Sequence, residues 1–133
     1  KYALSSLTDA KSRALFAELE RLMRSERIYR QQDLTKERLA EIAGCNRTYL
    51  SQVVNAQTGM NMVSYINSFR IQEAVELLSD AGSEIPLKAV ALEAGFSSLS
   101  TFYKLVKQTV GMTPLKFREK VAELARSRAR NTL

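Results

Sequence analysis

The 133-residue sequence contains no histidine, no tryptophan, one cysteine, two prolines and five glycines. Without histidine there is no serine–histidine triad, no histidine general base and none of the usual catalytic zinc sites. The single thiol, Cys45, can close no internal disulfide and build no multi-cysteine metal cage. So few prolines and glycines supply little turn chemistry for a β protein of this length, which leaves an all-α fold as the expectation. No apolar run approaches the roughly 18 residues that a membrane-spanning helix requires. The carboxylates are scattered along solvent-facing positions. No catalytic residue, cofactor or metal is expected, and the chain reads as a binding protein rather than an enzyme.

What the sequence does have is positive charge. Lysine and arginine number 20 against 14 acidic residues, a formal net charge of +6. Such an excess attracts polyanions, because neutralised phosphates release counterions. The distribution is uneven: residues 1–97 hold 12 basic and 12 acidic side chains, so the whole +6 lies in residues 98–133.

Residues 8–25 start with Thr8 and Asp9 as cap candidates and place Leu15, Phe16, Leu19, Leu22 and Met23 at helical spacing. Thr35 then caps a short helix through Leu39, Ile42 and Ala43, which Gly44 ends. Asn46 caps the next, with Leu50, Val53 and Val54 inward as far as Thr58-Gly59. A long helix runs from about Met62 to Ser79, with Val63, Ile66, Phe69, Ala74, Leu77 and Leu78 as its apolar pattern. Past the Asp80-Ala81-Gly82-Ser83 loop, Pro86 opens a short helix through Val90, Ala91 and Ala94 to Gly95. Ser97 or Ser98 caps a helix with Phe102, Leu105 and Val106 inward, and Thr113-Pro114 opens a last one through Leu115, Phe117, Val121 and Leu124.

Part of this pattern occurs twice. Leu39-Ala40-Glu41-Ile42-Ala43-Gly44 matches Val90-Ala91-Leu92-Glu93-Ala94-Gly95 at an offset of 51. After one extra residue in the turn, Tyr49-Leu50, Val53-Val54 and Gly59-Met60 match Thr101-Phe102, Leu105-Val106 and Gly111-Met112 at an offset of 52, a register that carries Tyr65 onto Phe117. Two copies are too few for a solenoid; they indicate a duplicated helix-turn-helix joined by a helix. The expected organisation is a leading helix and linker over 1–34, a first helix-turn-helix over 35–61, a connecting helix over 62–80, and a second helix-turn-helix with a closing helix over 81–133.

In a helix-turn-helix the second helix enters the major groove, where base edges present distinct donor and acceptor patterns. With the apolar stripes inward, the outward positions are Thr48, Ser51, Gln52 and Asn55 in the first copy, and Ser100, Tyr103, Lys104 and Lys107 in the second, with Leu99 at the tip. Gln52 suits adenine, Lys104 suits guanine or a phosphate, and Leu99 suits a thymine methyl. Phosphate contacts are expected from Arg47, Asn55, Lys107, Lys116 and Arg118, and from helix N-termini near Thr35, Asn46, Ser98 and Thr113. The connecting helix, about 18 residues or roughly 27 Å long, approaches the roughly 34 Å of one DNA turn. Two recognition helices in successive major grooves of an asymmetric site are therefore expected.

Across about residues 35–120 the chain resembles the AraC/XylS transcription regulators. The resemblance is carried by Leu39-Ala40-Glu41-Ile42-Ala43-Gly44, by Gly59 with Tyr65, by Phe69-Arg70-Ile71 followed by Ala74 and Leu77-Leu78, and most specifically by Gly95-Phe96-Ser97-Ser98 through Phe102, Lys107, Gly111, Thr113-Pro114 and Phe117-Arg118. It implies a seven-helix domain of two helix-turn-helix units that binds promoter DNA and usually activates transcription. Its base-reading positions fall on Thr48, Ser51, Gln52, Leu99, Ser100, Tyr103 and Lys104, in agreement with the periodicity. The chain departs from the pattern at the end of the first recognition helix, where Val54-Asn55-Ala56-Gln57 stands in place of an aromatic and one or two lysines. It also has Val106 before Lys107, and Phe117 for the more usual tyrosine.

The first unit should therefore rely on helix N-termini and base contacts, and the basic second unit on phosphate grip. Cys45 is expected as a small core residue; Tyr65, Phe69, Phe96 and Phe102 as core aromatics; and Met60, Met62 and Met112 as plugs at helix junctions. Because the chain starts at Lys1 with no signal-like stretch, it is expected to be part of a longer regulator with an N-terminal sensing portion. In isolation it should be monomeric, cytoplasmic and nucleoid-associated, with double-stranded promoter DNA as its partner. The alternative is a helical interaction module that docks transcription machinery such as RNA polymerase without reading DNA.

Overall fold

The computed structural model describes residues 2–132, with side chains from Thr8 onward. It contains seven α-helices and, among the described residues, no strand: α1 (Tyr2–Arg24), a 3-10 turn (Ile28–Arg30), α2 (Lys36–Ala43), α3 (Arg47–Thr58), α4 (Met62–Leu78), α5 (Leu87–Glu93), α6 (Leu99–Val110) and α7 (Pro114–Thr132). The all-α expectation holds. The chain forms two compact units, one up to Ser68 and one from Phe69, so α4 contributes its first turns to one and its remainder to the other.

In the first unit, α1 packs on the 3-10 turn, α2 and α3, and α2 packs on α3. Of the expected stripes, Leu19, Leu22 and Met23 of α1, Leu39 of α2 and Leu50, Val53 and Val54 of α3 are buried, whereas Leu15, Phe16, Ile42 and Ala43 are half-buried at the margin; Ala40 of α2 and Met62, Tyr65 and Ile66 of α4 complete the interior. One polar tie crosses this interior. The Tyr65 hydroxyl donates to Glu20 Oε1 at 2.7 Å, while the Tyr65 ring lies 6.0 Å from that of Phe16. Burial, and then the bond to Glu20, push the Tyr65 phenol well above its ordinary pKa.

One local expectation needs correction. Thr8 and Asp9 do not cap α1 but lie within it, because no helix breaker stands among the residues before them. After α1 the chain turns through Arg27 at φ 52°, a left-handed conformation unusual for a residue with a Cβ, into a 3-10 turn that buries Ile28 and Tyr29.

The second unit has one core cluster: Ala74 and Leu78 of α4, Val90, Ala91 and Ala94 around α5, Phe96 in the turn, and Phe102 and Val106 of α6. Phe96 and Phe102 meet edge to face with centroids 5.7 Å apart, a favourable aromatic geometry. Half-buried Leu105, Val110 and Phe117 pack against the cluster, and α6 packs on both α5 and α7.

The duplication is visible bond by bond. Cys45 N–H donates to the Ala40 carbonyl at 3.0 Å, and Phe96 N–H to the Ala91 carbonyl at 2.9 Å. Both close a helix through a glycine at positive φ, Gly44 at 76° and Gly95 at 100°, which a Cβ would disfavour. Asn46 Oδ1 accepts from Tyr49 N–H at 2.8 Å, and Ser98 Oγ from Thr101 N–H at 3.3 Å. Asn61 Oδ1 accepts from Ser64 N–H at 2.8 Å, and Thr113 Oγ1 from Lys116 N–H at 3.2 Å. The first pair of bonds is related by 51 residues and the later ones by 52, so the inserted residue lies in the second turn.

Candidate nucleic-acid interface

Each unit presents the outward face of its second helix. On α3, burying Leu50, Val53 and Val54 turns Thr48, Gln52 and Asn55 to solvent and leaves Ser51 half-buried at the margin. Together with Lys36 and Arg47 these four line an open depression of about 520 Å3. Its chemistry is hydroxyl, amide and cation, which suits both base edges and phosphates. No acidic residue occupies the first turn of α3 or of α6, so neither positive helix end is offset by a carboxylate of its own.

Arg47 is less free than its place in the sequence suggests. Its Nη1 donates to Glu37 Oε1 at 3.0 Å across the turn between α2 and α3. Both side chains are exposed, and a solvent-exposed pair of this kind gives way readily to a phosphate. The Glu37 carboxyl lies below its ordinary pKa, held there first by its own backbone N–H in the first turn of α2 and then by Arg47.

The residue that sequence reasoning missed here is Lys36. It follows the Thr35 cap, whose Oγ1 accepts from Arg38 N–H at 3.1 Å, and it lines the α3 depression from the neighbouring helix. No spacing rule joins it to Ser51 or Asn55, because the contact depends on how α2 meets α3.

On α6 the face is equally open. Leu99, Ser100, Tyr103, Lys104 and Lys107 are all exposed, while Phe102 and Val106 are fully buried. Tyr103 is steadied by the Phe102 ring, 5.5 Å away. Ser98 and Thr113 use their hydroxyl oxygens as acceptors in helix caps, which leaves each O–H able to donate outward. Lys116 is exposed. Arg118 is half-buried instead, with Nη2 enclosed and without a hydrogen-bond partner among the described residues, so it presents less charge to solvent than Lys116 does.

The core aromatics lie as expected: Tyr65, Phe69, Phe96 and Phe102 are buried. Met62 is buried too, with Met60 and Met112 half-buried. Cys45 is only half-buried rather than part of the core, since the bond from its N–H to Ala40 fixes it in the turn; desolvation raises its thiol pKa. Among the described residues no cluster of acids and cysteine could hold a metal ion, and no helix is long and apolar enough to cross a membrane. The closing helix extends to Thr132 and carries Arg126, Arg128 and Arg130.

A family model described as a helix-turn-helix domain matches residues 39–120. Among sequence relatives, the chain is 31% identical over 91 residues to the RCS-specific HTH-type transcriptional activator RclR of Escherichia coli K12, covering 68% of this chain and 31% of that protein. It is 35% identical over 88 residues to the melibiose operon regulatory protein of the same strain, covering 66% of this chain and 28% of that protein. The chain thus spans about a third or less of the length of these relatives. Among solved structures, a transcriptional regulator with an AraC-type DNA-binding domain from Chromobacterium violaceum superposes with a TM-score of 0.67 at 24% identity, over 85% of this chain and 96% of that one. The C-terminal domain of AraT, a response regulator from Geobacillus stearothermophilus, gives 0.63 at 26% identity, over 71% and 76%.

Proposed function

From the premise that this chain belongs to the AraC/XylS family of helix-turn-helix transcription regulators, we propose that it binds specific double-stranded DNA by placing α3 and α6 each in a major groove. The observation that carries this reading is the duplicated geometry. Two helices of equal length are capped and ended by equivalent hydrogen bonds, with their apolar stripes buried and their polar faces open. An interaction module without base readout would not need two such faces free of apolar cover.

Thr48, Ser51 and Gln52 read bases in one half-site, and Leu99, Ser100, Tyr103 and Lys104 read them in the other. Lys107, Lys116, Asn55 and the outward O–H groups of Ser98 and Thr113 hold phosphates, joined by Arg47 once a phosphate replaces Glu37 and, to a lesser degree, by Arg118. Since the two outward faces differ, the site is asymmetric. The chain acts without enzymatic chemistry, as a cytoplasmic, monomeric module that activates transcription beside RNA polymerase.

Fluorescence anisotropy with duplexes selected from a random DNA pool tests the reading. Binding to the selected duplex should exceed binding to a scrambled one and should weaken linearly in log–log form as salt rises. Binding indifferent to both sequence and salt would overturn it.

A further inference from the structure

The first unit lacks lysines where α3 ends, yet a cation stands beside that end. A second depression, of about 350 Å3, adjoins the one over α3 and is lined by Lys36, Ser51, Asn55, Asn61, Met62 and Val63. Lys36, Ser51 and Asn55 line both, which places Lys36 where the two meet.

Lys36 also differs from its cationic neighbours. Arg38 is bonded to Glu41 and Arg47 to Glu37, each at 3.0 Å, whereas the Lys36 side chain makes no hydrogen bond or ion pair among the described residues and acts on Glu37 only through its charge. On the far side of the second depression, Val63 in the first turn of α4, expected within the apolar pattern of that helix, is instead 69% exposed, the most exposed of the large apolar residues among those described. Solvation alone does not favour an isopropyl group there. The depression therefore offers an ammonium without a hydrogen-bonded partner and the amides of Asn55 and Asn61, the latter with its oxygen engaged in the α4 cap, next to an apolar surface.

That combination matches the two surfaces of a nucleic-acid strand, anionic phosphate and apolar deoxyribose. We propose that the second depression is a seat for the sugar–phosphate backbone of one DNA strand, with Lys36 on a phosphate and Val63 against the adjoining sugar. This rests on the DNA-binding reading above and extends it beyond the recognition helix: α3 reads bases, and the seat beside it supplies the cation that the end of α3, Asn55-Ala56-Gln57, lacks. Its contribution is independent of sequence, unlike that of Gln52.

The test uses the full chain with the selected duplex and the scrambled duplex, titrated at several salt concentrations. Lys36→Ala should weaken both duplexes by the same factor and lower the slope of log K against log salt by about 1, and Lys36→Arg should restore it. Val63→Asp, which sets a carboxylate against the strand, should weaken both at least about tenfold, while Val63→Ala costs only a few-fold. Both positions are solvent-facing, and thermal melts followed by circular dichroism should match the unsubstituted protein. If that protein binds DNA while Lys36→Ala keeps its full slope and Val63→Asp its affinity, the seat is wrong and the DNA reading stands. A loss confined to one base position would also overturn the seat, because it would make Lys36 a base reader. If the unsubstituted protein binds neither duplex, the DNA reading itself fails.

Discussion

The two units share a skeleton and differ in what they show to solvent. Their turn and capping bonds repeat nearly residue for residue, yet α3 presents hydroxyls and amides where α6 presents Tyr103, Lys104 and Lys107. Their interiors differ as well: the first is tied by the Tyr65–Glu20 hydrogen bond, whereas the equivalent position of the second is Phe117, which has no hydroxyl. Bonds that set the angle between two helices tolerate little change, while outward side chains are free to diverge. One scaffold thus carries two surface chemistries, hydroxyls and amides on α3 and a phenol with two ammonium groups on α6.

The largest test of this contrast concerns the scaffold. Phe102→Ala empties the centre of the second cluster and should cost about 3 to 5 kcal/mol of stability, measured by urea denaturation. A loss below about 1 kcal/mol would show that the α6 stripe is not the core. Next comes the division of labour. Gln52→Ala should cost about 1 to 3 kcal/mol and relax preference at one base position, whereas Lys107→Ala should weaken all duplexes alike and lower the salt slope by about 1. If both variants behaved alike in competition assays, the two faces would not divide the work.

A smaller effect is expected in the interior of the first unit. Tyr65→Phe removes the donor to Glu20 and should lower stability by about 1 kcal/mol, read from the shift of the urea midpoint. The smallest effect belongs to the Glu37–Arg47 pair, which has no counterpart in the second turn. Because the Glu37 pKa is depressed, its stabilising contribution is complete above the ordinary glutamate value and fades as pH falls through the depressed one. Titrating the Glu37 carboxyl by NMR in Arg47→Ala should show its pKa rise yet stay below the ordinary value, since its own backbone N–H still donates to it. A full return to that value would make Arg47 the main cause.

Much of this architecture is legible in the sequence, because the signals that specify it are local. Thr35, Asn46 and Ser98 cap helices by bonding to an N–H three residues ahead, and Gly44, Gly59 and Gly111 stop them by taking a positive φ. The one-residue shift in the repeat locates the longer turn before any coordinate is seen. Features that depend on long-range packing were not legible: the left-handed Arg27, the half-exposure of Cys45, the Arg47–Glu37 pair and the place of Lys36. Periodicity identifies which face of α3 is outward but not which side chain of the next helix leans over it.

The Tyr65–Glu20 bond has a consequence beyond stability. Together with burial, which acts first, it holds the phenol in its neutral form to unusually high pH, and burial keeps the Cys45 thiol protonated above its usual range. With no histidine in the chain, the side chain that most often switches charge near neutrality is missing as well. The domain approaches a body of fixed charge across physiological pH, and the ions around it, rather than the protons, set how firmly it holds a polyanion.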